Sequence, residues 1–309
     1  MALTVHDIGA IVVSGSSAFN LDGMTDLQID PGNTLVVENA GGQYDPSFAA
    51  VSQTMPMATA SVTDIATAIA NIALAGFAFP QTTVYTTVDV FFTQMAESGL
   101  RTSSTTHTRC RMAKGLVVPR SLTASQGGVA SLGIEIHALY DGSNVPMVFA
   151  DNIALPHTPT IGELFTLGKV MINGTQLDGV QSWTFDFGLT VEKVLANGEL
   201  YPTGAYITRR APKFEIRTKK VPSLTTFGLN GTAQGSTDSV IYLQKLEKNA
   251  NILATATEEH ISFTIDDGMV TVGQTGGSNN ATGESVVTIT PTWDGTNAIV
   301  VIDETSAIS

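Results

Sequence analysis

Apolar and polar residues alternate along much of the chain, most clearly between residues 183 and 192. Every second residue there is apolar and the residues between are polar or glycine: Trp183, Phe185, Phe187, Leu189 and Val191 alternate with Thr184, Asp186, Gly188, Thr190 and Glu192. A period of two residues is typical of a β-strand with one face on a core and the other toward solvent. The pattern therefore predicts a mainly β fold.

Further apolar or alternating segments predict strands in both halves of the chain. They cover residues 11–14, 84–92, 109–118, 131–139 and 145–149, and then residues 169–172, 240–243, 261–272, 285–292 and 298–303. Asp-Gly or Asn-Gly pairs lie at residues 22–23, 141–142, 173–174, 178–179 and 294–295. Glycine supplies the positive φ that a two-residue hairpin needs, so these pairs predict antiparallel pairing.

One helix is predicted in the first half, where Ile65, Ile69 and Ile72 fall at helical spacing. Ser61 or Thr63 is expected to cap its first turn, and Gly76 to end it. The matching segment of the second half, residues 222–227, is five residues shorter. The sequence therefore predicts a flanking helix in each half, shorter in the second.

The two halves of the chain repeat each other. Residues 21–23 return as residues 177–179, an offset of 156 residues, and 11 of the 36 positions from 21 to 56 are identical at this offset. Ordinary composition gives roughly two or three such identities by chance. Residues 140–144 match residues 293–297 at an offset of 153. The repeat predicts two tandem copies of one β-sandwich or barrel domain, residues 1–156 and residues 157–309.

Both halves also contain a long polar segment punctuated by glycine and proline, residues 36–50 and residues 192–206. Loops of this length in compact domains are commonly functional. Since length and one proline position are the same in both halves, the segments are predicted to be folded arms that contact a neighbouring subunit.

Charge is scarce and its balance is acidic. Only 14% of the 309 residues are charged, below the roughly 25% of typical domains, and the net charge is −13. Low charge is expected where neighbouring subunits cover the surface. Residues 1–156 contain 12 acidic and 5 basic side chains and the rest contains 16 and 10, so both halves are acidic. Affinity for nucleic-acid phosphates needs clustered Lys and Arg, which makes this chain a poor nucleic-acid binder.

Six of the 15 basic residues form an exception to this acidic background, within twelve positions. They are Arg209, Arg210, Lys213, Arg217, Lys219 and Lys220. Two interpretations remain open. Alternation around Phe214 favours the solvated face of an amphipathic strand, whereas the charge difference from the first half favours a contact with an acidic patch of a neighbouring subunit.

The residues give no pattern for catalysis, a cofactor or a metal. His107 and His260 are equivalent in the repeat, but neither has a second ligand at a spacing that both halves share, so structural histidines are expected. Asp266-Asp267 suits a hairpin turn better than a calcium site, because the first half has Ala113-Lys114 there. Cys110 is predicted to be a small core residue. The chain is therefore expected not to be an enzyme.

The sequence contains no run of 18 apolar residues, and its N-terminus lacks a basic region followed by an apolar block. These features argue against a membrane-spanning segment and a signal peptide. Synthesis in the cytoplasm, without membrane association, is the resulting expectation.

Residues 169–220 resemble the major tail tube proteins of tailed bacteriophages, and the end of the second half, residues 293–295, fits the same pattern. The resembling features are an Asn-Gly turn, a Leu-Asp-Gly turn, the aromatic alternation, the long arm and the strand at residues 211–218. The resemblance implies a β-sandwich with a flanking helix, six-fold rings and stacking of rings into a hollow tube. With a duplicated subunit, three chains would form a pseudo-hexameric ring in the tail of the virion.

This resemblance also implies roles for particular residues and partners. Asp30, Asp186 and Glu192 are the candidates for lining the channel, through which genomic DNA passes without specific binding. Tyr44, Pro46, Tyr201 and Pro202 are the candidates for an arm that stacks rings, and the basic cluster is the candidate contact between subunits. Expected partners are further copies of the chain and the tape measure, terminator and baseplate proteins. A capsid decoration or baseplate protein is the alternative, and a glycan-binding β-sandwich is a weaker one.

Overall fold

The computed structural model describes residues 6–14, 18–72, 86–94, 106–195, 198–220, 227–234, 237–277, 283–296 and 298–309. Strands make up 60% of the structure and helix 3%, which confirms a mainly β fold. The paired strands in these ranges run antiparallel.

The described part of the first half contains ten strands and one helix. The strands are β1 (His6–Ser14), β2 (Phe19–Leu21), β3 (Met24–Asp30), β4 (Asn33–Glu38), β5 (Phe48–Thr54), β6 (Met57–Val62), β7 (Thr86–Gln94), β8 (Thr106–Ser125), β9 (Ser131–Leu139) and β10 (Val148–Ala154), and α1 (Ile65–Asn71) lies between β6 and β7.

Twelve strands follow in the described part of the second half. They are β11 (Leu164–Ile172), β12 (Thr175–Gln176), β13 (Val180–Asp186), β14 (Leu189–Val194), β15 (Gly204–Arg210), β16 (Lys213–Thr218), β17 (Thr232–Ala233), β18 (Ser239–Leu246), β19 (His260–Ile265), β20 (Gly268–Gly276), β21 (Glu284–Pro291) and β22 (Val301–Ser306).

These strands form two large sheets and two hairpins. The larger sheet has 13 strands, in the order β17-β20-β21-β16-β13-β8-β7-β1-β2, with β10 paired to β8 and the path β3-β6-β9 also joining β8. The second sheet has the order β12-β11-β18-β19-β22, while β4–β5 and β14–β15 are separate two-stranded sheets. Strand β8 is 20 residues long, so its first part pairs with β7 and β10 and its second part with β9 and β13. The larger sheet is thus continuous across residue 156.

Aromatic side chains fill the space between the two sheets. Trp183, Phe185 and Phe214 of the larger sheet surround Phe263 of the second sheet, with ring centroids 5.7–6.0 Å from that of Phe263. Phe185 and Phe214 are stacked at 4.1 Å. The polar residues Thr184 and Asp186 alternate with them and are exposed, so the predicted alternation of this segment is confirmed. The core between the sheets is one cluster with members from both halves of the chain.

The alternating segment at residues 183–192 contains parts of two strands, β13 and β14. The chain bends at Phe187-Gly188, where Gly188 has a φ of 58°, and β14 continues into a separate hairpin. Alternation continues through the bend because β14 also has one half-buried face.

Some of the predicted hairpin turns connect different sheets. Asn173-Gly174 joins the antiparallel pair β11–β12, with positive φ at both residues, as predicted. Asp178-Gly179 and Asp266-Asp267 link strands of the two large sheets and are not hairpins. Gly179 has a positive φ of 71°, as Gly174 does, so this local feature does not choose the pairing partner.

The predicted helix is present as α1, but its start differs from the prediction. Its N-cap position is Asp64. Ser61 lies in β6 instead, and the Thr63 hydroxyl donates a hydrogen bond to the carbonyl oxygen of Gly23. The predicted end at Gly76 and most of the second predicted helix, residues 222–226, lie outside the described residues.

Candidate functional site

The larger sheet has a polar face on the side away from the core. We define the polar face as the outward side chains of two pairs of neighbouring strands: Gln28 and Asp30 of β3 with Thr59 of β6, and Thr184 and Asp186 of β13 with Lys213, Glu215 and Arg217 of β16. Strands β9 and β8 lie between the two pairs. They alternate with buried residues such as Phe185 and Phe214. The polar face therefore carries two of the three predicted channel-lining carboxylates.

Asp30 and Asp186 have the same surroundings in the two halves. The carboxylate of Asp30 accepts a hydrogen bond from the backbone N–H of Gly32 at 2.8 Å, and that of Asp186 accepts one from Gly188 at 2.9 Å. Both glycines have a positive φ, 62° and 58°. Each aspartate therefore holds a turn between the larger sheet and an arm, while its side chain remains exposed on the polar face.

Glu192 lies elsewhere, on the arm strand β14. Its side chain is exposed and alternates with the half-buried Val191 and Lys193. The structure does not bring Glu192 into the larger sheet beside Asp30 and Asp186.

The basic cluster shares the polar face with carboxylates. Lys213 lies directly opposite Asp186 in the sheet and forms an ion pair with Glu215 at 3.7 Å. Arg217 is 3.4 Å from Glu215 and 3.7 Å from Glu284. Such exposed pairs contribute little to stability, but they balance the charge locally. In the single chain, Lys213 and Arg217 are exposed on one side of β16, and the residues of its other side are buried.

The other four basic residues are exposed and lie at the ends of β15 and β16. Arg209 and Arg210 end β15, and Lys219 and Lys220 follow β16. Lys220 forms an ion pair with Asp178, which lowers the pKa of that carboxyl group by hydrogen bonding and charge.

The two predicted arms are the β-hairpins β4–β5 and β14–β15, here named the first arm and the second arm. The second arm packs its inner side on the first half of the chain. Ala205 forms a buried apolar cluster with Leu116, Val118 and Leu139, and Val191 and Ile207 pack against this cluster. The second arm thus covers part of the outer surface of β8 and β9.

Polar contacts fix the second arm in the same position. The backbone N–H of Tyr140 donates to the carbonyl oxygen of Pro202 at 2.8 Å, and Lys114 donates to that of Thr203 at 2.6 Å. The rings of Tyr140 and Tyr201 lie 6.1 Å apart. Two predicted arm residues, Tyr201 and Pro202, therefore contact the first half of their own chain.

Lys193 of the second arm reaches the edge of the polar face. Burial lowers the pKa of its amino group, while the charges of Glu135 and Asp30 oppose that change. Its ammonium group donates to the carbonyl oxygen of Met55 at 3.2 Å. Asp30 therefore faces both the polar face and the base of the second arm.

The first arm, in contrast, exposes its apolar residues. All six residues of β4 are exposed, and so are Tyr44 and Pro46 between its strands. Leu35 is 59% exposed and Val51, directly opposite it, is 44% exposed. The two arms share one fold but have different environments.

The pattern of the sequence did not reveal an ion pair between the buried Asp89 and the exposed Arg111. Asp89 of β7 is buried and accepts two hydrogen bonds from Arg111 of β8, at 2.8 and 2.7 Å. The equivalent positions of the second half are Val240 and Thr264, so the repeat gives no indication of the pair. A charged residue within the apolar β7 was the available signal.

His107, His260 and Cys110 have structural positions in the core. His260 is buried, its Nε2 lies 2.9 Å from the carbonyl oxygen of Ala254, and its Nδ1 accepts a hydrogen bond from the backbone N–H of Lys245. His107 is buried with its ring edge-on to Phe91. Burial raises the pKa of the Cys110 thiol to about 12, so Cys110 is the predicted core residue.

No group of three metal-ligating side chains occurs in the part of the chain that the structure describes. Asp267 accepts a hydrogen bond from the backbone N–H of Gly268. Burial, with the nearby Asp238 and Asp294, raises the pKa of Asp266. Asp266-Asp267 therefore belongs to the connection between β19 of the second sheet and β20 of the larger sheet.

Comparison with known proteins gives no relative: no protein-family model matches the chain, and a search of curated proteins finds no match. Within the described ranges, no helix has the length and apolar character needed to cross a membrane.

Proposed function

We propose that this chain is a structural subunit of a bacteriophage tail tube, in which three chains close into a pseudo-hexameric ring and rings stack around a channel for the genome. The observation that carries this proposal is the head-to-tail strand pairing between the two halves of the chain. The protein works by assembly, without catalysis or a cofactor.

The first step is that the two halves are copies of one domain. Strands β3 and β13 begin 156 residues apart (180 − 24) and end 156 residues apart (186 − 30), and the same holds for β4 and β14, β5 and β15, and β6 and β16. The pairing β2-β1-β7-β8-β10 in the first half matches β12-β11-β18-β19-β22 in the second. Common strand positions and common pairing support a duplicated domain.

The second step is that the halves meet through different edges. Strand β13 is the first strand that the second half contributes to the larger sheet, and it pairs with the far part of β8, where Leu122 lies opposite Phe185 and Thr123 opposite Thr184. By the repeat, β13 corresponds to β3, and the far part of β8 corresponds to β20. Contacts between unlike surfaces can be repeated indefinitely, and they close into a ring when the rotation allows.

The third step is that the same two edges remain available at the ends of the chain. Among the described residues, β3 pairs only with β6, and the side of β20 away from β21 pairs only with β17, at Met269 and Val270. Transfer of the internal register places Gly276 of one chain opposite Gln28 of the next. Such pairing would remove open edges, which otherwise promote aggregation.

A closed ring of these sheets would have a continuous inner surface. We assign the polar face to this surface, with Asp30 and Asp186 exposed toward the channel. The charges of Lys213 and Arg217 are balanced by Glu215 and Glu284, and the whole chain has a net charge of −13. A negatively charged wall would let DNA pass without stable phosphate contacts. Tape measure, terminator and baseplate proteins are the proposed partners in the virion tail.

Electron microscopy and sedimentation of the purified chain test this function. We expect rings with a central channel, a sedimenting species of three chains, and tubes at higher concentration. A chain that stays monomeric at high concentration without forming rings would overturn the proposal. Rings of six chains would overturn the assignment of two domains per chain.

A cysteine pair tests the proposed strand pairing directly. Gln28→Cys with Gly276→Cys, in a Cys110→Ser background, is expected to form disulfides between chains on oxidation, because opposite residues of paired strands have Cβ atoms about 5 Å apart. Thr123→Cys with Thr184→Cys is the matched control and should link within one chain. Linkage only within chains for both pairs would contradict head-to-tail assembly.

A further inference from the structure

We infer that the first arm of one chain docks on the Met269–Trp293 surface of a second copy of this chain, in the way the second arm docks on the first half of its own chain. This inference rests on the proposed ring. It assigns the exposed apolar arm to a lateral contact within the ring.

The contact between the second arm and the first half of the chain shows how the first arm would dock. Val191, Ile207 and Ala205 of the second arm lie on the side that packs on the first half. An offset of 156 residues turns these into Leu35, Val51 and Ala49 of the first arm. Strand register is also the same, since Val191 lies opposite Ile207 and Leu35 lies opposite Val51. The first arm therefore presents an apolar surface of the same design.

The surface that receives the arm has an equivalent in the second half. Leu116 and Tyr140 receive the second arm. At an offset of 153 residues they correspond to Met269 and Trp293. Met269 is 37% exposed and Trp293 is 69% exposed. Exposed large apolar side chains such as these commonly mark a surface that is covered when subunits assemble.

The backbone contacts can be transferred as well. The bond from the Tyr140 N–H to the Pro202 carbonyl oxygen becomes a bond from Trp293 to Pro46 of the neighbouring chain. The bond from the Thr54 N–H to the Leu200 carbonyl oxygen becomes one from Arg210 to Tyr44. Two predicted arm residues and one residue of the basic cluster thus meet at one interface between chains.

The equivalent positions of the second arm show which side of the first arm is the docking side. Val36 faces the opposite side from Leu35, and its equivalent in the second arm is the exposed Glu192. An arm therefore accommodates a carboxylate on the side that faces away from the docking surface. On the docking side, Val37 stands where the second arm has Lys193, so the first arm is the more apolar of the two.

A pair of charge variants tests the docking. Leu35→Asp with Val51→Asp is expected to raise the chain concentration needed for half-maximal ring formation on the order of a hundredfold, because two apolar side chains are no longer buried. Val36→Glu, on the opposite side of the same hairpin, is the matched control and should assemble like the unaltered chain. Equal behaviour of the two variants would overturn the inference.

Crosslinking provides a second measurement that does not depend on assembly strength. Val51→Cys with Met269→Cys, treated with a bis-maleimide, is expected to join chains, whereas the internal counterpart Ile207→Cys with Leu116→Cys should link only within a chain. Rings that form without crosslinks between Val51→Cys and Met269→Cys would overturn the docking inference and leave the proposed function standing. Failure of the unaltered chain to form rings would overturn both.

Discussion

Replacement of Gly188 by alanine tests the turn that directs the chain from the larger sheet into the second arm. Gly188 has a φ of 58°, and an added Cβ would lie 1.9 Å from the carbonyl oxygen of Ala211. The left-handed conformation costs an L-residue about 1–2 kcal/mol, and backbone crowding costs about 1–3 kcal/mol. Alanine has less conformational freedom than glycine in the unfolded chain, and this difference stabilises the folded state by about 0.4–1 kcal/mol. We expect Gly188→Ala to lower the free energy of unfolding by about 3 kcal/mol.

Gly42 provides the matched control for this substitution. It has a φ of 84° in the turn of the first arm, and an added Cβ would have no heavy atom within 4 Å. Gly42→Ala keeps the conformational cost without the crowding, so we expect a loss of about 1 kcal/mol or less. The difference between the two variants isolates the contact with Ala211.

The assay is urea unfolding followed by the fluorescence of the buried Trp183, in a Trp293→Phe background that removes the exposed indole. Both variants are measured on unassembled chains, because assembly stabilises the folded state by mass action. Equal losses for Gly188→Ala and Gly42→Ala would refute the reasoning, since they would show that the neighbouring backbone moves aside at no cost.

Asp89→Asn should lower the free energy of unfolding by about 2 kcal/mol, because it leaves the Arg111 guanidinium beside a neutral buried amide; an unchanged urea midpoint would count against this pair. Burial raises the pKa of Cys110 to about 12, so a thiol reagent at about pH 8 should label the chain only after urea unfolds it, and rapid labelling of folded protein would contradict this. The imidazole of His137, whose Nε2 lies 3.4 Å from the carboxylate of Glu135, lowers the pKa of that carboxyl group from 4.5, so this carboxylate stabilises the fold above pH 4.5 and the effect is lost as pH falls through the folded pKa. His137→Gln should therefore reduce the destabilisation on acidification, and an unchanged pH profile of unfolding would exclude this role.

Local patterns were sufficient for many of the strands of this protein, but not for the strands of the two arms or for β6. Alternation of Trp183, Phe185 and Phe187 with polar residues predicted strand and core face together, because successive side chains of a strand point to opposite sides. The Asn173-Gly174 pair predicted a hairpin that the structure contains. The helix at α1 followed from apolar spacing, while its cap did not, because Ser61 and Thr63 belong to other contacts.

The candidate site could be predicted only in part. Alternation around Phe214 indicated that Lys213 and Arg217 lie on one side of a strand, and Asp30 and Asp186 were predicted to lie on the polar faces of other strands. Their arrangement on one face depends on which strands pair, and β-strands of similar composition have no local signal for their partner. Glu192 was grouped with the two aspartates because the bend at Gly188 does not interrupt the alternation.

The sequence by itself determined the mainly β class, the positions of many strands, the offset of 156 residues between the halves and the core role of Cys110. Only the tertiary structure decided that β8 pairs with β13, that the second arm covers Leu116 and Leu139, and that Asp89 binds Arg111. The physical reason is the range of the interactions. Side-chain periodicity is set by the local backbone, whereas sheet order and arm docking depend on backbone groups and apolar surfaces that meet only after long segments of chain have folded together.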